Sequence, residues 1–247
     1  MEPGEYEAMY QLEDTLWWYR GQRRITQALF DRFLPRGKQL EILDVGAGTG
    51  GQLAQLSKLG RVTAFDYSPL AVAFFRNRAG DRVAQASAAA MPFRDAAFDL
   101  VTMFDVAATL DNGNEAEALD EIARVLKPGG YLFWREPALM FLYGGPHDKA
   151  THVHRRYDKK SFGERLRRMG LRPLRLSYDN MILFPIAALR RLLSRMLQGN
   201  LPLRSDVRPV PEPLNGFLAW ILSREAPQVA QSGLPIGLSV LTLARKE

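Results

Sequence analysis

The sequence contains no cysteine among its 247 residues. Disulfides, thiolate metal sites and cysteine nucleophiles are therefore excluded, and with them reactions such as cysteine-dependent pyrimidine C5 methylation. The sequence also has no uninterrupted apolar run of about 18 residues, the length that crosses a bilayer. Its first residues, Met-Glu-Pro-Gly-Glu, lack the basic and apolar regions of a signal peptide. These absences predict a cytoplasmic protein.

Acidic residues are scarce in the C-terminal part of the chain. Residues 151–247 hold 17 Lys or Arg against 7 Asp or Glu, whereas residues 1–150 hold 16 against 20. A concentrated positive field suits nucleic acid, anionic lipid or a phosphorylated substrate, and charge alone does not choose among them. A solvated basic face explains the same pattern without any partner.

Strand-like and helix-like segments alternate from residue 41 to about residue 180. With 47% hydrophobic residues, the chain is long enough for one large α/β domain. The predicted strands are 41–45, 61–66, 82–85, 98–104, 131–134, 174–178 and 236–244. The predicted helices are one that carries Leu53, Leu56 and Leu59 and stops at Gly60, one from Ser68-Pro69 to about Gly80, one over 114–126, and one that opens with a capping box at Ser161 to Glu164. This alternation predicts a mostly parallel sheet covered by helices.

Two segments fall outside the alternation. Residues 137–160 form a long connection after the fifth strand, a position that is usually functional in such sheets. Residues 181–233 contain an amphipathic stretch, a Pro-rich segment and a short apolar helix near 217–222. The apolar side of the stretch consists of Ile186, Leu189, Leu192, Leu193, Met196 and Leu197, with Arg190, Arg191 and Arg195 opposite. Packing onto the domain, contact with a membrane surface and a dimer interface all explain it.

A glycine-rich turn, Gly46-Ala-Gly-Thr-Gly-Gly51, follows the first strand. Without Cβ atoms, the backbone can turn sharply and approach a ligand closely at the start of a helix. Gly46, Gly48 and Gly51 also satisfy the dinucleotide pattern G-x-G-x-x-G, so a nicotinamide or flavin enzyme competes on this motif. Asp66, at the end of the second strand, is placed to bind the ribose diol of either cofactor.

Four motifs in chain order discriminate between these cofactors. They are Leu43-Asp-Val-Gly-Ala-Gly-Thr-Gly50, Phe65-Asp-Tyr-Ser-Pro69, Met91-Pro-Phe93 with Phe98-Asp-Leu-Val101, and Arg124-Val-Leu-Lys-Pro-Gly-Gly130. Together they resemble the successive motifs of class I S-adenosylmethionine-dependent methyltransferases, over residues 40–180 and 236–244. The resemblance implies S-adenosylmethionine as cofactor and a Rossmann-like α/β fold. Its sheet would have seven mostly parallel strands, with a helical insertion before an antiparallel last strand.

The resemblance also implies cofactor contacts. Asp44 would lie near the methionine end, and Asp66 would bind the ribose hydroxyls. The other implied contacts are Gly46, Gly48, Gly50, Tyr67, Ser87, Ala88, Phe104, Tyr19 and Arg24. Two positions depart from the family pattern: Ser87 stands where an acidic residue is usual, and Ala108-Thr109 replaces an acidic-His pair.

All three histidines, His147, His152 and His154, lie within eight residues and precede Arg155-Arg-Tyr157. This block, with Trp17-Trp-Tyr-Arg20 and Arg23-Arg24, resembles a bacterial methyltransferase subgroup in which an N-terminal segment commonly covers the cofactor. Core packing of Trp17, Trp18 and Tyr19 is the alternative. The predicted catalytic residues are His154, His152 and Asp105, and the predicted substrate-binding residues are His147, Arg155, Arg156 and Tyr157. Structural hydrogen bonding is the alternative for the histidines, and a metal site is disfavoured because only Asp148 adds a fourth ligand.

The sequence thus predicts one methyltransferase domain, divided into an N-terminal helical lid (1–36), a cofactor-binding core (37–180), a basic helical insertion (181–233) and a terminal strand (234–247). The predicted acceptor is a small molecule, anionic or lipid-linked, methylated in the cytoplasm or peripherally at an anionic membrane. RNA or protein methylation is an alternative that the basic charge favours, although the chain has no Asn/Asp-Pro-Pro-aromatic tetrapeptide. A non-catalytic cofactor-binding or scaffold protein is the other alternative.

Overall fold

A computed structural model describes residues 1–79, 82–196 and 207–247. The strands in these ranges are β1 (Leu40–Val45), β2 (Gly60–Asp66), β3 (Val83–Gln85), β4 (Phe98–Phe104), β5 (Leu126–Pro137), β6 (Leu171–Asp179) and β7 (Ser239–Lys246). The helices are α1 (Pro3–Leu12), α2 (Trp17–Phe33), α3 (Leu53–Leu56), α4 (Pro69–Ala79), α5 (Asn112–Val125), α6 (Pro146–Ala150), α7 (Lys159–Arg168), α8 (Phe184–Met196), α9 (Glu212–Ser223) and α10 (Ala226–Gln231).

The strands form one sheet in the order β3-β2-β1-β4-β5-β7-β6. Strands β1 to β5 pair in parallel, whereas β7 is antiparallel to both β5 and β6. The carboxyl ends of β1, β2, β4 and β5 therefore meet at one edge, and the strand order reverses beside β1. A ligand crevice is expected at such a switch point. The predicted seven-stranded sheet with an antiparallel last strand is confirmed.

Both faces of the sheet are covered by helices. Phe133 and Trp134, consecutive residues of β5, point to opposite faces of the sheet, and both are fully buried. Trp134 stacks on Phe162 of α7 at 3.9 Å between ring centroids, and Phe133 contacts Phe30 of α2 at 5.5 Å between ring centroids. The first face is covered by α5 and α7, and the second by α2, α9 and α10. The N-terminal segment and the insertion thus share a face.

The helix predicted after the glycine turn is shorter than expected. It is the single turn α3, and Leu59 lies beyond its end. Gly60 does not stop a helix but begins β2, where a Cβ atom would lie 2.0 Å from the carbonyl oxygen of Leu40. The close approach of β1 and β2, rather than helix termination, explains this glycine.

Further boundaries differ from the prediction: β5 begins at Leu126 rather than at Tyr131, and β7 begins at Ser239 rather than at Ile236. Asp158, not Ser161, caps α7: its Oδ1 accepts from the Ser161 amide at 2.7 Å, and Ser161 Oγ accepts from the Asp158 amide at 3.1 Å. In the insertion, α9 is longer than the predicted apolar helix, and α10 was not predicted. Gly80, Leu197 and Pro202 lie outside the described residues. Among the residues that are described, no helix is long and apolar enough to cross a bilayer.

Candidate cofactor and acceptor site

The glycine turn after β1 uses backbone conformations that side chains disfavour. Gly46, Gly48 and Gly50 have φ values of 67°, 58° and 87°, in the left-handed region that glycine adopts without strain. A Cβ atom on Gly46 would also lie 2.5 Å from Cγ2 of Val106, just beyond β4. Both backbone geometry and space therefore require glycine where the chain leaves β1 for the crevice.

Asp66 ends β2 beside this turn. Its Oδ2 accepts a hydrogen bond from the Gly48 amide at 2.9 Å, and its Oδ1 accepts one from the Ser68 amide at 2.9 Å. Burial raises the pKa of Asp66, and the amide donors oppose that shift. Each carboxylate oxygen has a further lone pair to offer, so Asp66 is a fixed acceptor suited to a pair of hydroxyl groups.

Asp44 lies one residue before the end of β1 and is buried. Its Oδ1 accepts a hydrogen bond from Thr102 Oγ1 on β4 at 2.7 Å. Burial raises the pKa of Asp44 to about 7. A buried carboxylate of this kind is stabilised in its charged form by a nearby cation, which is the chemistry that a cofactor ammonium group offers.

The N-terminal segment packs directly on the glycine turn. Glu13, just after α1, accepts a hydrogen bond from Thr49 Oγ1 at 2.7 Å and forms an ion pair with Arg78 of α4 at 2.7 Å. Burial raises the pKa of Glu13 to about 6. Met9 of α1 also approaches the turn, because a Cβ on Gly48 would lie 3.0 Å from its Cε. Glu13 was not predicted as a site residue, since it lies outside every motif and reaches Thr49 from a distant part of the chain.

Tyr67, Ser87 and Ala88, which the family resemblance implies at the adenine end of the cofactor, lie near the ends of β2 and β3. The Tyr67 side chain is 78% exposed. Ser87, at the position where an acidic residue is usual, accepts a hydrogen bond from the Ala89 amide at 3.2 Å, and Ala88 is buried. Ser87 thus stabilises its own turn, whereas Tyr67 is free of that constraint and open to solvent.

Tyr19 and Arg24, the two lid residues predicted to contact the cofactor, differ in their burial. Tyr19 is buried, and burial, reinforced by the charges of Glu13 and Asp105, raises the pKa of its hydroxyl. Arg24 is exposed on α2, and its neighbour Arg23 instead donates to the carbonyl of Glu13 at 2.7 Å. The arginine that ties α2 to the end of α1 is therefore Arg23.

A buried arginine that was not predicted, Arg135 of β5, holds the residues after β4. It forms an ion pair with Asp105, whose φ of 58° lies in the left-handed region. Its guanidinium carbon lies 4.8 Å from the ring centroid of Trp18 and 5.3 Å from that of Phe104. Cation–π contacts of this kind stabilise a buried guanidinium. Arg135 therefore links the aromatic segment of α2 to Asp105, a function that no sequence motif indicated.

Glu136 of β5 fixes the turn after Asp105 through hydrogen bonds. Its carboxylate accepts hydrogen bonds from the amides of Ala107 at 2.8 Å and Ala108 at 3.0 Å. The Ala108 carbonyl in turn accepts from the main-chain amide of His154 at 2.7 Å. The main chain of His154 is therefore held beside the turn that follows β4, and the residue is exposed.

The other two histidines occupy different parts of the connection. His152 has a φ of 56°, and its Nε2 lies 3.0 Å from Oε1 of Glu2. The Glu2 amide also donates to the Ala150 carbonyl at 3.2 Å, so this part of the connection contacts the start of α1. His147 is half-buried on α6. The structure thus brings His154, but not His152, to the turn after β4.

The basic residues that follow His154 are engaged by carboxylates of the protein. Arg156 is buried and pairs with Asp148. Arg155 pairs with Glu115 of α5 and donates to the Leu110 carbonyl at 2.7 Å. The Tyr157 hydroxyl donates to Glu115 at 3.0 Å. These contacts fasten the connection to the domain, so a substrate would have to displace a protein carboxylate to reach either guanidinium group.

Asp148, the fourth residue of the metal site considered for the three histidines, is paired with Arg156. A carboxylate neutralised by a buried guanidinium is a poor ligand for a cation. Within the part of the chain that the structure describes, no group of three or more His, Asp or Glu side chains is placed to hold a metal ion.

The residues at the carboxyl edge of the sheet fit an adenosyl cofactor. The turn offers close backbone approach at three glycines with left-handed φ values. Asp66 offers acceptors for ribose hydroxyls, and buried Asp44 offers a carboxylate that gains from a cation.

Comparison with known proteins identifies the region that forms this edge. A methyltransferase domain family model matches residues 43–134. A probable S-adenosylmethionine-dependent methyltransferase of Mycobacterium tuberculosis is 33% identical over 123 residues, which are 49% of this chain and 43% of that protein. A demethylmenaquinone methyltransferase of Corynebacterium kroppenstedtii is 38% identical over 121 residues, 48% of this chain and 47% of its own. The chain thus spans less than half the length of these curated relatives.

A solved structure extends the likeness to the whole fold. The Thermotoga maritima protein described as an S-adenosylmethionine-dependent methyltransferase, possible histamine N-methyltransferase, superposes with a TM-score of 0.62 at 19% identity, over 99% of this chain and 96% of that one. At this identity the likeness shows the fold. The S-adenosylmethionine-dependent class predicted from the four motifs is confirmed by these matches. Residues 43–134 therefore match a methyltransferase domain model, and the chain has the Rossmann-like fold of the solved methyltransferase structure.

Proposed function

We propose that this protein transfers a methyl group from S-adenosylmethionine to a small-molecule acceptor that is anionic or lipid-linked. One observation carries the proposal. The glycine turn, Asp44 and Asp66 lie at the same sheet edge as Asp105 and the histidine-bearing connection. A donor site and an acceptor site are therefore adjacent, as direct transfer between two bound molecules requires.

The donor side uses groups that are already fixed before binding. Asp66, held by two backbone amides, receives the ribose hydroxyls, and Asp44 faces the methionine end. The cofactor supplies an electrophilic methyl carbon on a positively charged sulfur. The protein contributes chiefly by holding donor and acceptor in line and by excluding water.

The acceptor side depends on the chemistry of the acceptor atom. A hydroxyl or an acidic carbon must lose a proton as the new bond to carbon forms, and His154 would take that proton at an imidazole nitrogen. An amine acceptor needs only positioning. In our proposal Asp105, which is paired with Arg135, contacts both molecules. His152 is the second candidate base, although its contact with Glu2 favours a role at the start of α1.

Residues 1–36 act as the lid of this site in our proposal. The support comes from three contacts: Glu13 with Thr49, Met9 beside Gly48, and Glu2 with His152. Helix α1 thus touches the glycine turn at one end and the connection at the other. Closure of a helix across both sides would exclude water from the reacting groups.

An anionic or lipid-linked acceptor is supported by charge and by the relatives. The C-terminal residues 151–247 carry an excess of ten cationic side chains over acidic ones. The name of the Corynebacterium relative specifies a quinone acceptor, and that of an Enterobacter lignolyticus relative specifies malonyl-[acyl-carrier protein]. Both acceptors are acidic or lipid-like, which is the class we propose.

The test is an acceptor screen with methyl-labelled S-adenosylmethionine. Labelled product from a prenylated quinol or an acyl-chain acid, absent from a parallel reaction without protein, is the expected result. Label recovered only in RNA or protein would replace the proposal with macromolecular methylation. Cofactor binding without turnover on any acceptor would favour a non-catalytic binding protein.

A further inference from the structure

Large apolar side chains are exposed on the two longer helices of the insertion. On α8, Ile186 is 72% exposed and Leu189 is 59% exposed. With Leu193 they follow an i, i+3, i+7 spacing, which places them on one side of the helix. The half-buried Phe184 and the buried Ala188 lie toward the domain instead. The described part of this stripe does not pack onto the domain, which contradicts one interpretation of the sequence.

A second stripe lies on α9. Phe217 and Trp220 are 55% and 57% exposed, and their rings stack at 6.1 Å between centroids. The helix itself is firmly attached, since Asn215 accepts from the Trp17 amide at 2.7 Å. On the same side as Asn215, Leu222 packs so closely on α2 that a Cβ at Gly21 would lie 2.5 Å from it. The exposed ring pair therefore belongs to a well-anchored helix.

The start of α8 lies near the end of α9. The amide of Ile182, just before α8, donates to Oε1 of Glu225, just after α9, at 2.8 Å. Met140 and Phe141, both more than half exposed, lie in the turn of the post-β5 connection that contacts α8. We call the exposed side chains of this region the apolar surface; they are Met140, Phe141, Ile182, Ile186, Leu189, Leu192, Leu193, Leu214, Phe217 and Trp220.

Positive charge borders the apolar surface. Arg190 follows Leu189 on α8, and the Arg224 guanidinium carbon lies 5.5 Å from the ring centroid of Trp220. An isologous contact between two copies of the chain would bring these like charges together, which disfavours self-association. An anionic lipid surface would instead attract the arginines and accept the aliphatic and aromatic side chains at the headgroup level.

We propose that the apolar surface docks this protein on an anionic lipid bilayer. The helices would lie in the plane of the interface, with Trp220 and Leu189 among the acyl chains and the arginines at the phosphates. Because the post-β5 connection contributes Met140 and Phe141, docking would bring the acceptor side of the site to the membrane. The inference that docking places the acceptor site at the membrane rests on the proposed function, whereas membrane binding itself does not.

The test is co-sedimentation with vesicles of equimolar phosphatidylglycerol and phosphatidylcholine, compared with vesicles of phosphatidylcholine alone. Binding to the anionic vesicles is expected, and it should fall when salt is raised from about 0.1 M to about 1 M, because the Debye length shrinks from roughly 10 Å to 3 Å. The paired substitution Leu189→Gln with Trp220→Gln should weaken partitioning by about tenfold or more, since each removes apolar area from the bilayer.

The matched control is Leu70→Gln, which changes another exposed apolar side chain on α4. It should sediment like the unchanged protein, and all variants should keep their melting temperature because each site is exposed. Failure of the unchanged protein to bind anionic vesicles would overturn the inference. So would a dimer in sedimentation velocity that the paired substitution dissociates. Turnover of the paired variant on a water-soluble acceptor is also measured. If this turnover is unchanged, a failure of membrane docking is distinguished from a failure of the proposed methyl transfer.

Discussion

The cofactor side of the sheet edge and the acceptor side are held together by different means. On the cofactor side, Gly46 and its neighbours act through backbone conformation, and Asp66 is fixed by two main-chain amides. On the acceptor side, side chains form the ion pairs and hydrogen bonds. Arg135 and Glu136 hold the residues after β4, and Arg156 holds the long connection. Backbone requirements restrict the sequence tightly, whereas side-chain networks can be rebuilt in many ways. The cofactor class can therefore be predicted from this sequence, whereas the identity of the methyl acceptor cannot.

The largest effect should come from the backbone of the cofactor side. Gly46→Ala forces a side chain into a left-handed conformation, which costs about 1–3 kcal/mol, and places its Cβ 2.5 Å from Val106. We expect loss of measurable S-adenosylhomocysteine binding by calorimetry, together with a lower free energy of unfolding in urea.

The control for this substitution is Gly113→Ala in α5, where a Cβ would lie 3.6 Å from Asp111 and meet ordinary van der Waals contact. Alanine is the better helix former by roughly 1 kcal/mol, so this variant should bind the ligand and be at least as stable. Equal behaviour of the two variants would mean that the glycine turn does not determine cofactor binding.

On the acceptor side, His154→Ala should spare cofactor binding and lower turnover. With a hydroxyl or acidic-carbon acceptor we expect a loss of about 10² to 10⁴, the usual contribution of general acid–base catalysis. The measurement is a single-turnover assay, with calorimetry of S-adenosylhomocysteine binding to show that the cofactor site is retained.

His152→Ala is the comparison that separates the two histidines. It removes the contact with Glu2 but leaves the turn after β4 intact. A smaller loss of turnover than in His154→Ala assigns proton transfer to His154. Unchanged turnover in His154→Ala would remove that residue from the mechanism.

The two sides also differ in how far the sequence predicted them. The mostly parallel sheet and the cofactor edge follow from local signals: alternating elements, a glycine turn and acidic residues at strand ends. Glu13 and Arg135 gave no such signal, because their contacts with Thr49 and with Trp18 join segments far apart in the chain. Arg155 and Arg156 stood out in the sequence by their charge, and only their buried partners reveal that they fasten the connection.

Asp66→Ala should weaken S-adenosylhomocysteine binding by about 10- to 100-fold. It removes charge-assisted hydrogen bonds, each worth about 1.5–3 kcal/mol, and releases the amides of Gly48 and Ser68. Asp66→Asn retains one acceptor oxygen and should lose less. An unchanged dissociation constant in Asp66→Ala would place the ribose elsewhere.

The smallest expected effect is a pH dependence that comes from Asp44. Because burial raises its pKa to about 7, the carboxyl is protonated and neutral below that pH and anionic above it. Affinity for a ligand with an ammonium group should therefore rise by at most about tenfold per pH unit up to about pH 7 and then level off. Calorimetry with S-adenosylhomocysteine across this range measures it, and Asp44→Asn should flatten the profile.

The same ionisation affects stability with the opposite sign. The folded state holds the Asp44 proton up to about pH 7, whereas the unfolded chain releases it near pH 4. The contribution of this group to the free energy of unfolding should thus be lost as pH rises from about 4 to about 7. Urea titrations of the unchanged protein and of Asp44→Asn isolate that contribution, and parallel pH profiles would contradict the assignment.

The most direct test of the account is calorimetric titration of the purified protein with S-adenosylmethionine, S-adenosylhomocysteine and NADH. We predict that the two adenosyl ligands bind, that NADH does not, and that Asp66→Ala weakens the binding of both adenosyl ligands. Binding of NADH alone would mean that the glycine turn holds a dinucleotide. Binding of none of the three would contradict the assignment of this sheet edge as a cofactor site.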